Sequence, residues 1–141
     1  MMATMQDNEQ TLREAGLRVT SPRLATLAAV MEHPHADAEV IASAVRERLG
    51  SVSKQAVYDV LYALTDAGLV RRMMTDDRRN RFEIQRHDNH HHVMCRKCGM
   101  IEDIPCPTES VPCLQPTDAS GFVIDEADVV YRGLCPRCRN E

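Results

Sequence analysis

The chain has no tryptophan, two phenylalanines and three tyrosines in 141 residues. A core built around large rings is excluded, and packing falls to Ala, Val, Leu and Met. No apolar run approaches the roughly 20 residues that span a bilayer, which excludes a membrane-crossing helix. The N-terminal stretch MMATMQDNEQ lacks both the basic segment and the apolar segment of a secretory signal. A cytoplasmic protein without a membrane partner is therefore expected. An excess of positive charge is also missing: the net charge is −4.

What is present in quantity is sulfur and imidazole, with six cysteines and six histidines. In a reducing compartment six cysteines read as metal ligands or redox thiols rather than a disulfide framework. The charge is also uneven. Residues 1–86 hold 12 Lys/Arg and 12 Asp/Glu, whereas residues 87–141 hold 5 and 9. The segment Arg71–Arg86 carries six Arg against Asp76, Asp77 and Glu83. A local basic patch says more about DNA than the chain average does, although a solvated charged face gives the same count.

The expected fold class is α+β in two domains, 1–86 and 87–141. In the first, QTLREAGL suggests a short helix over 10–17. Ser21 as cap and Pro22 in the first turn start a second helix, with Leu24, Leu27, Ala28, Val30 and Met31 as its stripe. A third runs from about Asp37 to Leu49, with Val40, Ile41, Ala44, Val45 and Leu49 on one face, and ends at Gly50. Ser53 opens a fourth, in which Val57, Val60, Leu61 and Leu64 face a core. LVRRMM and RFEIQ then form a hairpin about a polar tip. Helices followed by a two-stranded wing make a winged helix-turn-helix. The helix from Ser53 would enter the major groove, presenting Lys54, Gln55, Tyr58 and Tyr62. Arg78 and Arg79 at the wing tip would meet phosphate, which positions without specifying. A helical domain that binds no DNA is the plain alternative.

The second domain holds all six cysteines. GMIEDI reads as a strand, PCPTESVPCLQPTDAS as a loop, and GFVIDEADVVYRGLC as two short strands around an acidic turn. Large apolar residues are too few for much of a core, so a metal is expected to supply the missing stability. Cys95-x2-Cys98 and Cys135-x2-Cys138 form the signature of a closed, structural zinc site. The stretch NHHHVMC, read as a strand, places His90 and His92 on one face and His91 on the other. With Glu83, Asp103 and His33 nearby in kind, imidazole and carboxylate suit Fe(II), Mn(II) or Zn(II). A solvated strand suits the same pattern, and His35, His87 and His91 read equally as surface residues. Cys106 and Cys113, in the proline-rich loop, are either redox thiols or small loop residues.

Taken together, these motifs resemble the ferric uptake regulator (Fur) family. The likeness covers nearly the whole chain, through LRVTSPRLATLAAV, HPHADAEVI, VSKQAVYDVLYALTDAGLV, RFEI, HHHVMCRKCGMIEDI and YRGLCPRC. QAVYDVL, DNHHHVMCRKCG and the two PC cysteines resemble the FurA/CatR-like branch, similar in role to peroxide sensors that control catalase-type genes. The resemblance implies a homodimer, joined through a small α/β dimerisation domain, that grips a palindromic double-stranded operator. It implies structural Zn(II) on Cys95, Cys98, Cys135 and Cys138. It also implies a regulatory site of His33, Glu83, His90, His92 and Asp103 that takes Fe(II) or Mn(II), with Zn(II) able to occupy it in isolated protein. Asp103 is the residue type of the peroxide sensors, whereas Glu83 is not. The helix reads AVYDVL where the family commonly has TVYRTL, so Asp59 stands in place of an Arg and implies a different operator.

The expected function is a metal-dependent, peroxide-responsive transcriptional repressor, not an enzyme, with no small-molecule substrate. The alternative within the class is an iron-, manganese- or zinc-responsive regulator that does not sense peroxide. Rivals from other classes are a small metallohydrolase or thiol oxidoreductase, and a zinc-ribbon interaction module. The first lacks a cleft-forming scaffold, and neither uses the wing and recognition helix.

Overall fold

The computed structural model describes residues 5–75, 78–86, 90–105, 116–124 and 127–140. The chain divides into two compact units, Met1–Arg86 and His87–Glu141.

The first unit contains α1 (Met5–Glu14), α2 (Ser21–Glu32), β1 (Ala36–Asp37), α3 (Ala38–Leu49), α4 (Lys54–Asp66), β2 (Val70–Met74) and β3 (Asn80–Ile84). Each of the last three helices starts on a side-chain cap. Thr20 accepts from the N–H of Arg23, Asp37 from Val40 and Ser53 from Ala56. The cap of α2 is thus Thr20 and not Ser21. The helix begins one residue earlier because Pro22 is tolerated anywhere in the first turn, where no N–H is needed. Gly50, at φ +85°, closes α3 in a backbone conformation that a β-carbon disfavours.

The apolar face of α4 is as the spacing predicts, with Val57, Leu61 and Leu64 buried. In α2 and α3 the stripe differs from expectation. Met31, Val40 and Leu49 are exposed, while Ala25, Ala29, Ala38 and Ala42 are buried. Small alanines let neighbouring helices approach closely, and counting large side chains overlooks them. Phe82 and Val70 from the hairpin complete this core.

The sheet has one strand more than expected. β3 lies between β2 and a two-residue β1, both antiparallel to it, with Ala36 opposite Phe82 and Arg71 opposite Glu83. At the wing tip the N–H of Arg78 donates to the Thr75 carbonyl (2.9 Å), and Arg78 adopts φ +62°.

The described part of the second unit is β4 (His90–Cys95), β5 (Ile101–Pro105), β6 (Val130–Gly133) and a 3-10 turn at Cys138–Asn140. β4 is central, antiparallel to β5 and parallel to β6. Of the two strands expected in GFVIDEADVVYRGLC, only β6 forms among the described residues. Phe122 and Val123 have no strand pairing and lie 74% and 97% exposed. Among the described residues no helix is long and apolar enough to cross a membrane.

Candidate metal centres and nucleic-acid face

Strand topology brings the four thiols together. Cys95 ends β4 and leads into a turn closed by the Gly99 N–H on the Cys95 carbonyl (3.0 Å). Cys135 follows β6 and leads into a second turn, closed by the Arg139 N–H on the Cys135 carbonyl (2.9 Å). β4 and β6 are parallel, with Cys95 opposite Gly133, so both turns leave the sheet at the same end. The result is that sulfur atoms of Cys95, Cys98, Cys135 and Cys138 all lie within 4.8 Å of one another. The Sγ atoms of Cys98 and Cys135 are 3.8 Å apart. That is far too long for a disulfide, at about 2.0 Å. It matches the edge of a tetrahedron of sulfurs about 2.3 Å from a central zinc, which is about 3.8 Å.

The electrostatics of the cluster point the same way. Backbone N–H groups of Cys98 and Cys135 lower the Cys95 thiol to about 5. The Cys135 N–H lies 3.4 Å from Cys95 Sγ, and the Cys138 N–H 3.4 Å from Cys135 Sγ. Cys138 is instead pushed up to about 12, first by its hydrogen bond with the Cys135 side chain and then by burial. Four sulfurs this close cannot all ionise without a cation among them, and a divalent ion at the centre removes that conflict. Arg137, whose own pKa is raised first by its hydrogen bond to Cys98, adds positive charge beside the cluster. The donor set fits zinc, and a closed set of four protein ligands fits a structural ion.

Nitrogen and oxygen donors pair within each unit. In the first, His35 Nε2 lies 3.2 Å from Glu83 Oε2, and both side chains are largely buried. His35 is held from three directions. Its N–H donates to the Phe82 carbonyl (3.0 Å), its carbonyl accepts from Arg81 Nη1 (3.1 Å), and its imidazole meets Glu83. It does so at φ +67°, an uncommon conformation for a residue with a β-carbon. Arg71 stands opposite Glu83 across the hairpin, with 4.0 Å between charged atoms. His33 is elsewhere: it is the exposed C-cap of α2. The structure therefore sets His35, not His33, against Glu83. Two residues after the end of α2 the chain turns into β1 on β3, and that turn aims His35 at the sheet. Spacing alone gives no sign of this turn, since β1 is only two residues long.

In the second unit, His92 and Asp103 are direct cross-strand partners on β4 and β5, with Nε2 3.4 Å from Oδ1. His91 is buried rather than on the surface. His90 is in β4. Cys106, Cys113 and His87 lie outside the described residues.

On α4, Lys54 is ion-paired to Glu39 of α3 and sits 6.0 Å above the Tyr58 ring. Tyr58 is half-buried against the core and Tyr62 is exposed. Gln55 donates to Asp59 one turn on (2.9 Å). Arg78 is exposed. Arg79 is committed to Asp37, at 2.9 Å, and so ties the wing to the first turn of α3. Asp37, Arg71 and Arg81 were not singled out as site residues by sequence; their roles come from pairings across β1–β3 that spacing cannot show.

A winged-helix unit followed by a four-cysteine unit defines a class of metal-linked DNA-binding regulator. The model of the ferric uptake regulator family matches residues 14–131, and the chain belongs to that family. It is a metal-responsive transcriptional regulator and not an enzyme. It is 53% identical to the transcriptional regulator FurA of Mycobacterium tuberculosis, over 97% of this chain and 93% of that one. It is 28% identical to the peroxide-responsive repressor PerR of Staphylococcus epidermidis, over 97% and 91% respectively. Its fold matches the crystal structure of the Vibrio cholerae ferric uptake regulator with a TM-score of 0.67, at 27% identity, covering 92% of this chain and all of that one.

Proposed function

We propose that this chain is a cytoplasmic, homodimeric repressor whose grip on a palindromic operator depends on a second metal ion and is released by peroxide. The observation that carries the reading is one His–carboxylate pair in each unit, His35–Glu83 and His92–Asp103. Each pair alone offers an ion only two donors. Our reading is that both pairs, with His90, serve one Fe(II) or Mn(II) ion, while Cys95, Cys98, Cys135 and Cys138 hold zinc. A ligand set drawn from two units favours one arrangement of them, so metal shifts the population toward the arrangement that fits DNA. The exposed Phe122 and Val123 support pairing with a second copy.

Iron, when bound, would activate peroxide at this site, with an imidazole ring as the two-electron reductant. One oxygen atom is added to an imidazole ring and the other leaves as water. On this reading His35 and His92 are the rings that receive it, and loss of either would remove a ligand from the shared set. The relative named as peroxide-responsive, and Asp103 beside His92, favour peroxide as the stimulus and catalase-type genes as the targets. A metal-responsive regulator indifferent to peroxide is the second reading, favoured by the higher identity to FurA.

The test is anaerobic binding of Fe(II)-loaded protein to DNA upstream of its own coding sequence, before and after a brief peroxide pulse. Tight binding that the pulse abolishes, with a histidine one oxygen heavier, is expected. Binding that survives the pulse leaves only the second reading standing. His35→Asn keeps a residue that tolerates the left-handed backbone, and should weaken metal-dependent binding at least about tenfold. His33→Ala should change it less than about twofold, because His33 is an exposed helix cap while His35 is the imidazole set against Glu83. Equal losses from both would overturn the assignment to His35.

A further inference from the structure

The outer face of α4 carries an acid where a helix approaching DNA has most to lose from one. Asp59 is exposed near the middle of α4, and among the described residues no base is paired with it: Lys54, the lysine of this helix, is ion-paired to Glu39. Asp59 instead accepts a hydrogen bond from Gln55 Nε2 at 2.9 Å, one turn earlier on the same exposed face. Toward phosphate a carboxylate is repelled. Toward base edges it is an acceptor with no donor to offer. In the major groove only the amines of cytosine (N4) and adenine (N6) present a donor. Guanine offers O6 and N7, and thymine offers O4, all of them acceptors. A carboxylate therefore discriminates between two pairs of bases by the sign of the contact.

The bond from Gln55 adds direction. Its Nε2 donates to Asp59, which leaves Oε1 and the second N–H of this exposed side chain for another partner. That is the acceptor–donor pair by which an amide reads adenine. One Asp59 oxygen is occupied by Gln55, and the other remains an acceptor.

We propose that Asp59, aligned by Gln55, is a base-reading residue that selects an amine-bearing base, cytosine or adenine, at one position of each half-site and rejects guanine and thymine there. The proposal rests on the reading above that α4 enters the major groove. Asp59 thereby contributes specificity at the expense of non-specific attraction to DNA, which must come from basic residues outside α4, such as the exposed Arg78 at the wing tip.

The experiment is affinity selection from a randomised duplex library with full-length, metal-loaded protein, comparing wild type with Asp59→Ala and Asp59→Asn. Both variants change an exposed side chain, and unchanged melting curves would verify their folding. The wild type should prefer cytosine or adenine by about tenfold or more over guanine and thymine at one position per half-site. Asp59→Ala should flatten that position alone. Asp59→Asn, whose amide can turn to donate, should gain tolerance for guanine and thymine. Replacing the selected cytosine by pyrimidin-2-one, or adenine by purine, removes only the amine. It identifies which base is read and should cost the wild type what it does not cost Asp59→Ala. A defined wild-type motif that Asp59→Ala leaves unchanged, with affinity raised evenly for all sequences, would overturn this proposal alone. A wild type with no sequence preference would overturn the operator reading of α4 and this inference with it.

Discussion

The two units are held together by different physics. Among the described residues the first buries fourteen apolar side chains contributed by α1–α4, β2 and β3. Among its described residues the second buries Met94 and three cysteines, with His91 and His92 as buried polar residues. A chain of about 55 residues has too much surface for its volume to close on aliphatic packing alone. The sulfurs therefore occupy the place of a core, and a metal bound among them would contribute folding energy. The contrast teaches that a solvent or mutation that loosens one unit need not touch the other.

The largest effect should come from the sulfurs. Cys95→Ser is expected to abolish zinc binding and forfeit much of the roughly 10–16 kcal/mol that a structural zinc contributes. Amide exchange should show β4, β5 and β6 unprotected while α2–α4 stay protected. Full zinc content and an unchanged melting temperature would break the comparison. Next comes the aliphatic core. Leu61, fully buried on α4, should cost about 2–5 kcal/mol when truncated to Ala. Chemical denaturation followed by helical signal should report that loss with zinc content unchanged. If zinc were lost as well, the two cores would not be independent.

A smaller effect is expected from Asp37, at the junction of wing and α3. Burial works against its carboxylate, but the Val40 N–H and the Arg79 guanidinium outweigh it and hold the pKa below its ordinary 3.8. A carboxyl group with a lowered folded pKa contributes stability that is present above the unfolded value. That stability is lost as pH falls through the folded one. Unfolding of the first unit should therefore show an acid-side slope beginning near pH 4. Asp37→Asn should remove the slope and cost at most about 1 kcal/mol at neutral pH, because Asn caps a helix nearly as well. A slope that persists in the variant would place its origin in other carboxylates.

Legibility in the sequence follows the same division. The α4 stripe was readable because Val57, Leu61 and Leu64 repeat at helical spacing. The four-cysteine cluster was readable because two Cys-x-x-Cys pairs are a strong metal-ligand signal, and each needs only a turn at a strand end. His35 was not readable. Its role depends on a two-residue strand and a left-handed backbone, neither of which leaves a pattern in composition or period. Ala25, Ala29, Ala38 and Ala42 were overlooked for a related reason: closeness of helix approach is a property of pairs of helices, and a single helix's periodicity does not contain it. The strand expected around Phe122 failed to appear because alternation describes a face that could pair, without saying what it pairs with.

The claim that joins fold to function is that the two kinds of metal site do different work. It is tested most directly by titrating chelators of increasing strength against the metal-loaded protein on its operator, while amide exchange is followed by segment. Two stages are expected. A weak chelator should release the DNA with β4–β6 still protected, and only a strong one should expose those strands. DNA release that coincides with loss of β4–β6 protection would contradict it, because a single structural metal would then explain both.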